Sequence, residues 1–242
     1  MLVDLQLSSA TNDWPRLLDA TLEAEAGGYD TTWVLDHFDG TVLPGGDREM
    51  LECCTLLGAL AAATTTIGLG TLVANVANRY PAVLAAALSS ASRISGGRVI
   101  AGIGAGASPD TKWSREHRER GIPLRVSLAD RHAAVVEQIA VLRTIEPMPI
   151  IVGVNSVELA AIAGTHADGV NVRLGNPAAE RHVAVAREAA EDRPFEASGW
   201  ADIDDDAARA RADTLDLERL ILTQLGPLSR QSTRSVGSII EP

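Results

Sequence analysis

The sequence predicts a single α/β domain over residues 1–242, folded as a (β/α)8 TIM barrel, and three observations lead there. Short β-rich runs alternate with longer helical patterns along the whole chain, giving eight strand–helix units. No composition break divides the 242 residues, a length that suits one large domain. Parallel strands need crossover helices, and eight right-handed βα units in series close into a barrel more naturally than they form a doubly wound sheet. Hydrophobic residues make up 46% of the chain and aromatic residues only 3%, so the expected core is one of small and branched aliphatics.

Leu2 to Leu7 reads as the first strand, followed by a helix opening near Asp13-Trp14-Pro15 and closing before Gly27-Gly28. Proline just inside a helix start and glycine just past its end are the usual punctuation. Thr31 to Leu35 is the second strand, then a loop with Gly45-Gly46 and a helix from about Arg48 to Ala63. Ile67 to Val73 is the third strand, Pro81 to Ile94 its helix, and Arg98 to Ile103 the fourth strand. The polar, helix-breaking stretch from Ala107 to Val126 precedes a long helix from Ser127 to Arg143. Pro149 to Val152 and Gly169 to Arg173 are strands five and six; Phe195 to Asp202 and Arg219 to Gln224 carry weaker strand patterns. Helices fill 156–165, 177–191 and 204–215, and the tail after Gly226 is irregular up to a last short helical pattern.

A net charge of −11 argues against a nucleic-acid partner or an anionic membrane surface, either of which selects for a basic face. Cys53 and Cys54 are adjacent in an apolar run; adjacent cysteines pair poorly and carry no metal-ligand spacing, so they are expected to be buried, reduced thiols. With no leader pattern and no 18-residue apolar run, the expected location is the cytoplasm, with no membrane and no metal.

Chemistry in a barrel of this kind sits at the C-terminal ends of the strands. Strand two delivers Asp36-His37 there. A carboxylate beside an imidazole can hold its tautomer or raise its basicity, though the same pair also serves as a plain loop hydrogen bond. Strand three runs out toward Asn75 and Asn78, and strand four into Gly104-Ala105-Gly106, whose glycines let backbone pass close to a flat ligand. Strand five ends in Gly153-Val154-Asn155-Ser156 at a helix start. That turn suits a phosphate or, equally, an ordinary serine cap. The sign-alternating cluster at 115–120 is expected to be a solvated face, and His117, His132, His166 and His182 to be structural or superficial.

Five stretches together resemble the bacterial-luciferase-like monooxygenase family, in its coenzyme F420-dependent oxidoreductase branch. They are Trp33 to Phe38; Ile67 to Pro81 running into Val83-Leu84-Ala85; Ile94 to Arg98; Gly102 to Gly106; and Ile151 to Gly153 followed by Ala167 to Asn171, in family order over roughly residues 1–226. The resemblance implies a deazaflavin or flavin across the barrel mouth, His37 as the catalytic residue and Asp36 as the adjacent cofactor contact. It implies a non-proline cis bulge at Leu72-Val73 behind the ring, Asn75 and Gly104 to Gly106 around it, and Gly153 to Ser156 at the phosphate. It also implies a homodimer through helices near the second and third strands; the small-residue helices at 51–63 and 82–92 would allow close packing there, though the same pattern suits a barrel exterior.

Two departures qualify the resemblance. Ala107 stands where the family's sugar-phosphate dehydrogenases carry a glutamate, which argues against glucose 6-phosphate as substrate. The link from Arg143 to Pro149 is short where relatives insert a long segment, so the mouth is expected to be open or to be roofed by residues 107–126 or by a partner subunit. The expected activity is hydride transfer between coenzyme F420 and a small organic substrate. An FMN-dependent monooxygenase and a cofactor-binding protein with little catalysis are the alternatives.

Overall fold

The computed structural model describes residues 1–226 apart from 12, 47, 48 and 146. The strands are β1 (Leu2–Leu7), β2 (Thr31–Val34), β3 (Gly68–Thr71), β4 (Ala74–Asn75), β5 (Val99–Gly104), β6 (Ile150–Gly153), β7 (Gly169–Arg173), β8 (Glu196–Asp202) and β9 (Arg219–Gln224). Between them lie α1 (Trp14–Ala26), α2 (Cys53–Ala63), α3 (Pro81–Ser95), α4 (Arg115–Glu119), α5 (Leu128–Ile145), α6 (Val157–His166), α7 (Ala179–Ala190) and α8 (Ala208–Thr214). Every strand pairing is parallel. The sheet closes because β9 pairs with β1 at one seam and β3 with β5 at the other. The two-residue β4 pairs with β5 beyond that contact and continues the line of β3 after a cis peptide between Leu72 and Val73. Eight staves therefore close the barrel, the third made of two pieces.

Local chemistry sets the helix limits. Asp13 accepts the Arg16 amide at 3.1 Å and Pro15 occupies the first turn of α1, whose inner face buries Leu17, Ala20, Thr21 and Ala24. Helix α3 opens at Pro81 and ends at Gly96 with φ of 73°, a left-handed stop that glycine adopts freely. The sequence pattern put the start of α2 near Arg48, but the regular helix begins at Cys53, where the Glu52 side chain caps it by accepting the Thr55 amide at 2.7 Å; Arg48 itself lies outside the described residues. In the same way α8 is shorter than 204–215, because residues 204–207 form a turn in which Asp205 accepts the Ala207 amide. The helical pattern after Gly226 also lies outside the described residues.

Both weak strands, β8 and β9, are present and close the ring. As the composition suggests, the buried core is dominated by aliphatic side chains; of its two aromatic residues, Tyr29 and Trp33, the second is inside the barrel. Trp33 lies at its centre with Leu72, Ile151 and Ile221, admitted because Gly70 has no side chain: a Cβ there would stand 2.4 Å from the indole. Cys53 is buried as expected, whereas Cys54 is partly exposed; both are free thiols. Among the described residues no helix is long and apolar enough to cross a membrane.

Candidate active site

All eight staves contribute to one cleft of about 860 Å³ at the C-terminal mouth of the barrel, within the usual range for a small-molecule site. Its floor is apolar. Val73 drops between β5 and β6, where Gly104 and Gly153 make room: a Cβ on either would come within 2.5 or 2.8 Å of its methyl groups. Gln6 fixes the adjacent turn by donating to the Leu72 carbonyl at 2.7 Å.

One wall is built around Asp36 and His37. Asp36 is buried, and Arg79 clamps its two carboxylate oxygens through two hydrogen bonds of 2.8 Å each. The Asn75 amide also donates to Asp36 at 2.8 Å, and the Asn78 side chain to its carbonyl. Arg79 pairs with Glu52 as well, which ties the start of α2 to the loop before α3. Asp36 lines the cleft with its carboxylate turned toward these partners, so it braces the wall that carries His37.

His37 is held from outside the barrel. Its Nδ1 lies 2.8 Å from Oε1 of Glu116, and Oε2 of the same carboxylate accepts the Phe38 and Asp39 amides at 2.6 and 3.0 Å. Trp113 lies against the imidazole with ring centroids 5.7 Å apart. Burial alone would raise the Glu116 pKa, but the hydrogen bond and charge of His37 and the two backbone donors outweigh it and hold the group below the usual glutamate range. Next to it His117 is 1% exposed, with Nε2 2.7 Å from the Asn78 Oδ1, and burial holds its imidazole below the usual histidine range.

The expectation of a solvated face at 115–120 is therefore corrected. Glu116 and His117 face inward because Arg115 on the outer side anchors the short helix α4 to Asp39 at 2.9 Å and Arg120 bonds the Phe38 carbonyl at 2.6 Å. His132, expected to be structural or superficial, is buried and also lines the cleft beside Arg131. The segment from 107 to 126 forms a side of the cleft through Ala107, Ser108, Thr111 and Trp113.

Of the sequence-derived candidates, His37, Asp36, Leu72, Val73, Asn75, Gly104, Ala105, Gly106, Gly153, Val154 and Asn155 line this one cleft. Ser156 lies outside it and caps α6, accepting the Leu159 amide at 3.2 Å. The first turn of α6 already holds an anion: Glu158, exposed, is held below the usual range by its own amide and the Ser156 hydroxyl. Sequence reasoning missed Glu116, Arg79, Gln6, Asn171, Arg173 and Trp200. For Arg79 a signal existed in the run Asn75 to Arg79 after an apolar strand; for Glu116 the alternation of charge concealed it.

A flat ligand with polar edges fits these residues. The floor of Leu72 and Val73 is apolar, glycine backbone borders it on two sides, and Asn75, Asn155, Asn171 and Arg173 offer polar groups around it. Fold and cleft define the class: a (β/α)8-barrel protein with an open cleft at the strand C-termini. Comparison with known proteins narrows it. The model of the luciferase-like monooxygenase family matches residues 2–146, more than half of the chain, and the protein belongs to that family. The 5,10-methylenetetrahydromethanopterin reductase of Methanolobus tindarius is 28% identical over 211 residues, 78% of this chain and 62% of that one. The F420-dependent glucose-6-phosphate dehydrogenase of Amycolatopsis mediterranei is 36% identical over 129 residues, 50% of this chain and 38% of that one. The chain thus spans 38 to 62% of the length of these two relatives. An F420-dependent secondary alcohol dehydrogenase, solved with an F420–acetone adduct, superposes with a TM-score of 0.78 at 17% identity, covering 99% of this chain and 98% of that one. At that identity the likeness establishes the fold alone.

Proposed function

We propose that the chain is a coenzyme F420-dependent oxidoreductase that passes a hydride between the deazaflavin C5 and a small organic substrate. The observation that carries the reading is the apolar floor of Leu72 and Val73, faced by His37 in a cleft with polar rims. The F420-dependent relatives named above support it. When bound, coenzyme F420 supplies or accepts the hydride. The chain's own residues do the rest. Val73 and its glycine neighbours support the ring, Gly104 to Gly106 and Gly153 to Asn155 border it, and Arg173 brings positive charge for an anionic side arm. His37 gives or takes the proton that accompanies the hydride, and Asp36 keeps the wall behind it in place through Arg79.

The location that fits this reading is the cytoplasm, with the chain acting as a homodimer. The outer face of α3 presents Tyr80, Val83 and Ile94, each more than half exposed, beside small residues, as a contact surface requires.

Titration with oxidised coenzyme F420, and separately with FMN, followed by absorbance and fluorescence, tests the function. Micromolar binding of the deazaflavin is expected, with FMN at least tenfold weaker. His37→Ala should lower turnover by about 10²-fold or more, as loss of a general acid–base does, while cofactor affinity stays within a few fold. Preference for FMN would move the assignment to the monooxygenase alternative, and unchanged turnover in the variant would remove His37 from the mechanism.

A further inference from the structure

Glu116 divides its two oxygens between two tasks. Oε2 accepts the amides of Phe38 and Asp39, which fixes the backbone on the far side of His37, and Oε1 meets Nδ1 of the imidazole at 2.8 Å. The side chain is 1% exposed against 26% for His37, so the carboxylate is shielded while the imidazole reaches the cleft. A carboxylate can only accept. Nδ1 must therefore carry the proton whenever the ring is neutral, and Nε2, for which there is no hydrogen-bond partner among the described residues, is left with its lone pair.

We propose that Glu116 is the positioning residue of this site: through Nδ1 it holds His37 as the Nδ1–H tautomer and presents Nε2 as a proton acceptor. Its part in turnover rests on the reading of His37 as the proton-transfer group. The step assigned is a proton transfer. As the substrate gives up its hydride to the oxidised deazaflavin, the heteroatom–H bond of the substrate breaks and an Nε2–H bond forms. The reverse reaction returns that proton. The imidazolium so formed lies against an ionised carboxylate, which stabilises it.

Glu116→Gln tests the assignment because an amide has only one oxygen. The Phe38 and Asp39 amides require that oxygen, which leaves the NH2 group facing Nδ1. A donor there makes Nδ1 an acceptor and moves the ring proton to Nε2. With 15N-histidine-labelled protein, two-bond 1H–15N spectra read the tautomer directly without cofactor, and His37→Asn identifies the signal. The wild-type neutral ring is expected to be more than 90% Nδ1–H and the Gln variant mostly Nε2–H. The Gln variant should lose at least tenfold in kcat with KM for the cofactor within threefold, and Glu116→Asp should recover part of that loss. A neutral His37 that is mainly Nε2–H in the wild-type protein overturns the proposal, whether or not the variant folds. So does a Gln variant with changed tautomer and unchanged kcat. Because the spectra need no cofactor, failure to bind coenzyme F420 would count against the proposed function and leave the tautomer result standing.

Discussion

Arg79 brings one guanidinium into contact with Asp36, whose side chain is fully buried, and with Glu52 at the cap of α2. A buried pair adds little over a well-packed apolar pair, but removing one partner strands the other charge, at a cost of about 3–5 kcal/mol. Arg79→Met, which keeps the stem of the side chain, is expected to lose stability on that scale in urea unfolding at pH 7. Asp36→Asn combined with it should recover more than half, since the stranded carboxylate is then gone. A loss below about 1 kcal/mol in the single variant would mean that water reaches Asp36. At this scale the sequence was legible wherever a strand delivers its residues to the mouth, as it does Asp36 and His37. It was not legible for partners brought from elsewhere. Glu116 lies 79 positions from the histidine it touches, in a run whose charges alternate as they do on any solvated helix, and nothing local marks it as turned inward.

Among the elements, the third stave and its two glycine neighbours carry the floor of the site. Val73 lies between Gly104 at the end of β5 and Gly153 at the end of β6. Gly104→Ala would place a methyl group 2.5 Å from the Val73 Cγ2, and overpacking of that kind typically costs about 1–3 kcal/mol. The expected result is a cofactor affinity at least tenfold weaker, read by the same titration, with a modest fall in thermal stability. Adding Val73→Ala removes the obstructing methyl group and should restore the stability without restoring the affinity, because the floor is then missing. If Gly104→Ala alone binds as tightly as wild type, the floor has been misplaced. The strands and long helices were readable from their periodicity and punctuation. The errors fall where side-chain capping overrides pattern: Glu52 sets the start of α2 and Asp205 delays α8. The two-residue β4 is too short to leave a periodic trace.

For the molecule as a whole, the seam that closes the ring is crossed by a largely buried charge network at the opposite end of the barrel. Arg219 at the start of β9 donates to Asp4 on β1 at 2.7 Å, to Thr31 on β2 at 3.0 Å and to Glu196 on β8 at 2.7 Å, so one side chain spans four staves across the seam. The count of eight units implied that β9 returns to β1, but no pattern in the sequence names Arg219 as the link. Asp4 is fully buried; desolvation raises its pKa from 3.8 to about 6 against the opposing pull of Arg219 and the Trp33 indole. A carboxylate with a raised folded-state pKa favours the fold while protonated. Its contribution is complete below about pH 4 and is lost as pH rises through about 6. A shift of this size corresponds to a loss on the order of 3 kcal/mol. Glu25, pulled down to about 2 because its three backbone donors and the Thr66 hydroxyl outweigh its burial, acts in the opposite sense and weakens the fold as pH falls. The Asp4 term is therefore isolated by comparing wild type with Asp4→Asn, which keeps the shape and cannot ionise. The difference in Tm, variant minus wild type, should rise by about 5–10 °C between pH 4 and pH 7.5, whatever its offset at low pH. A difference that stays flat across that range would mean that Arg219 holds Asp4 ionised throughout, and that the seam is joined by a true ion pair at every pH at which the protein folds.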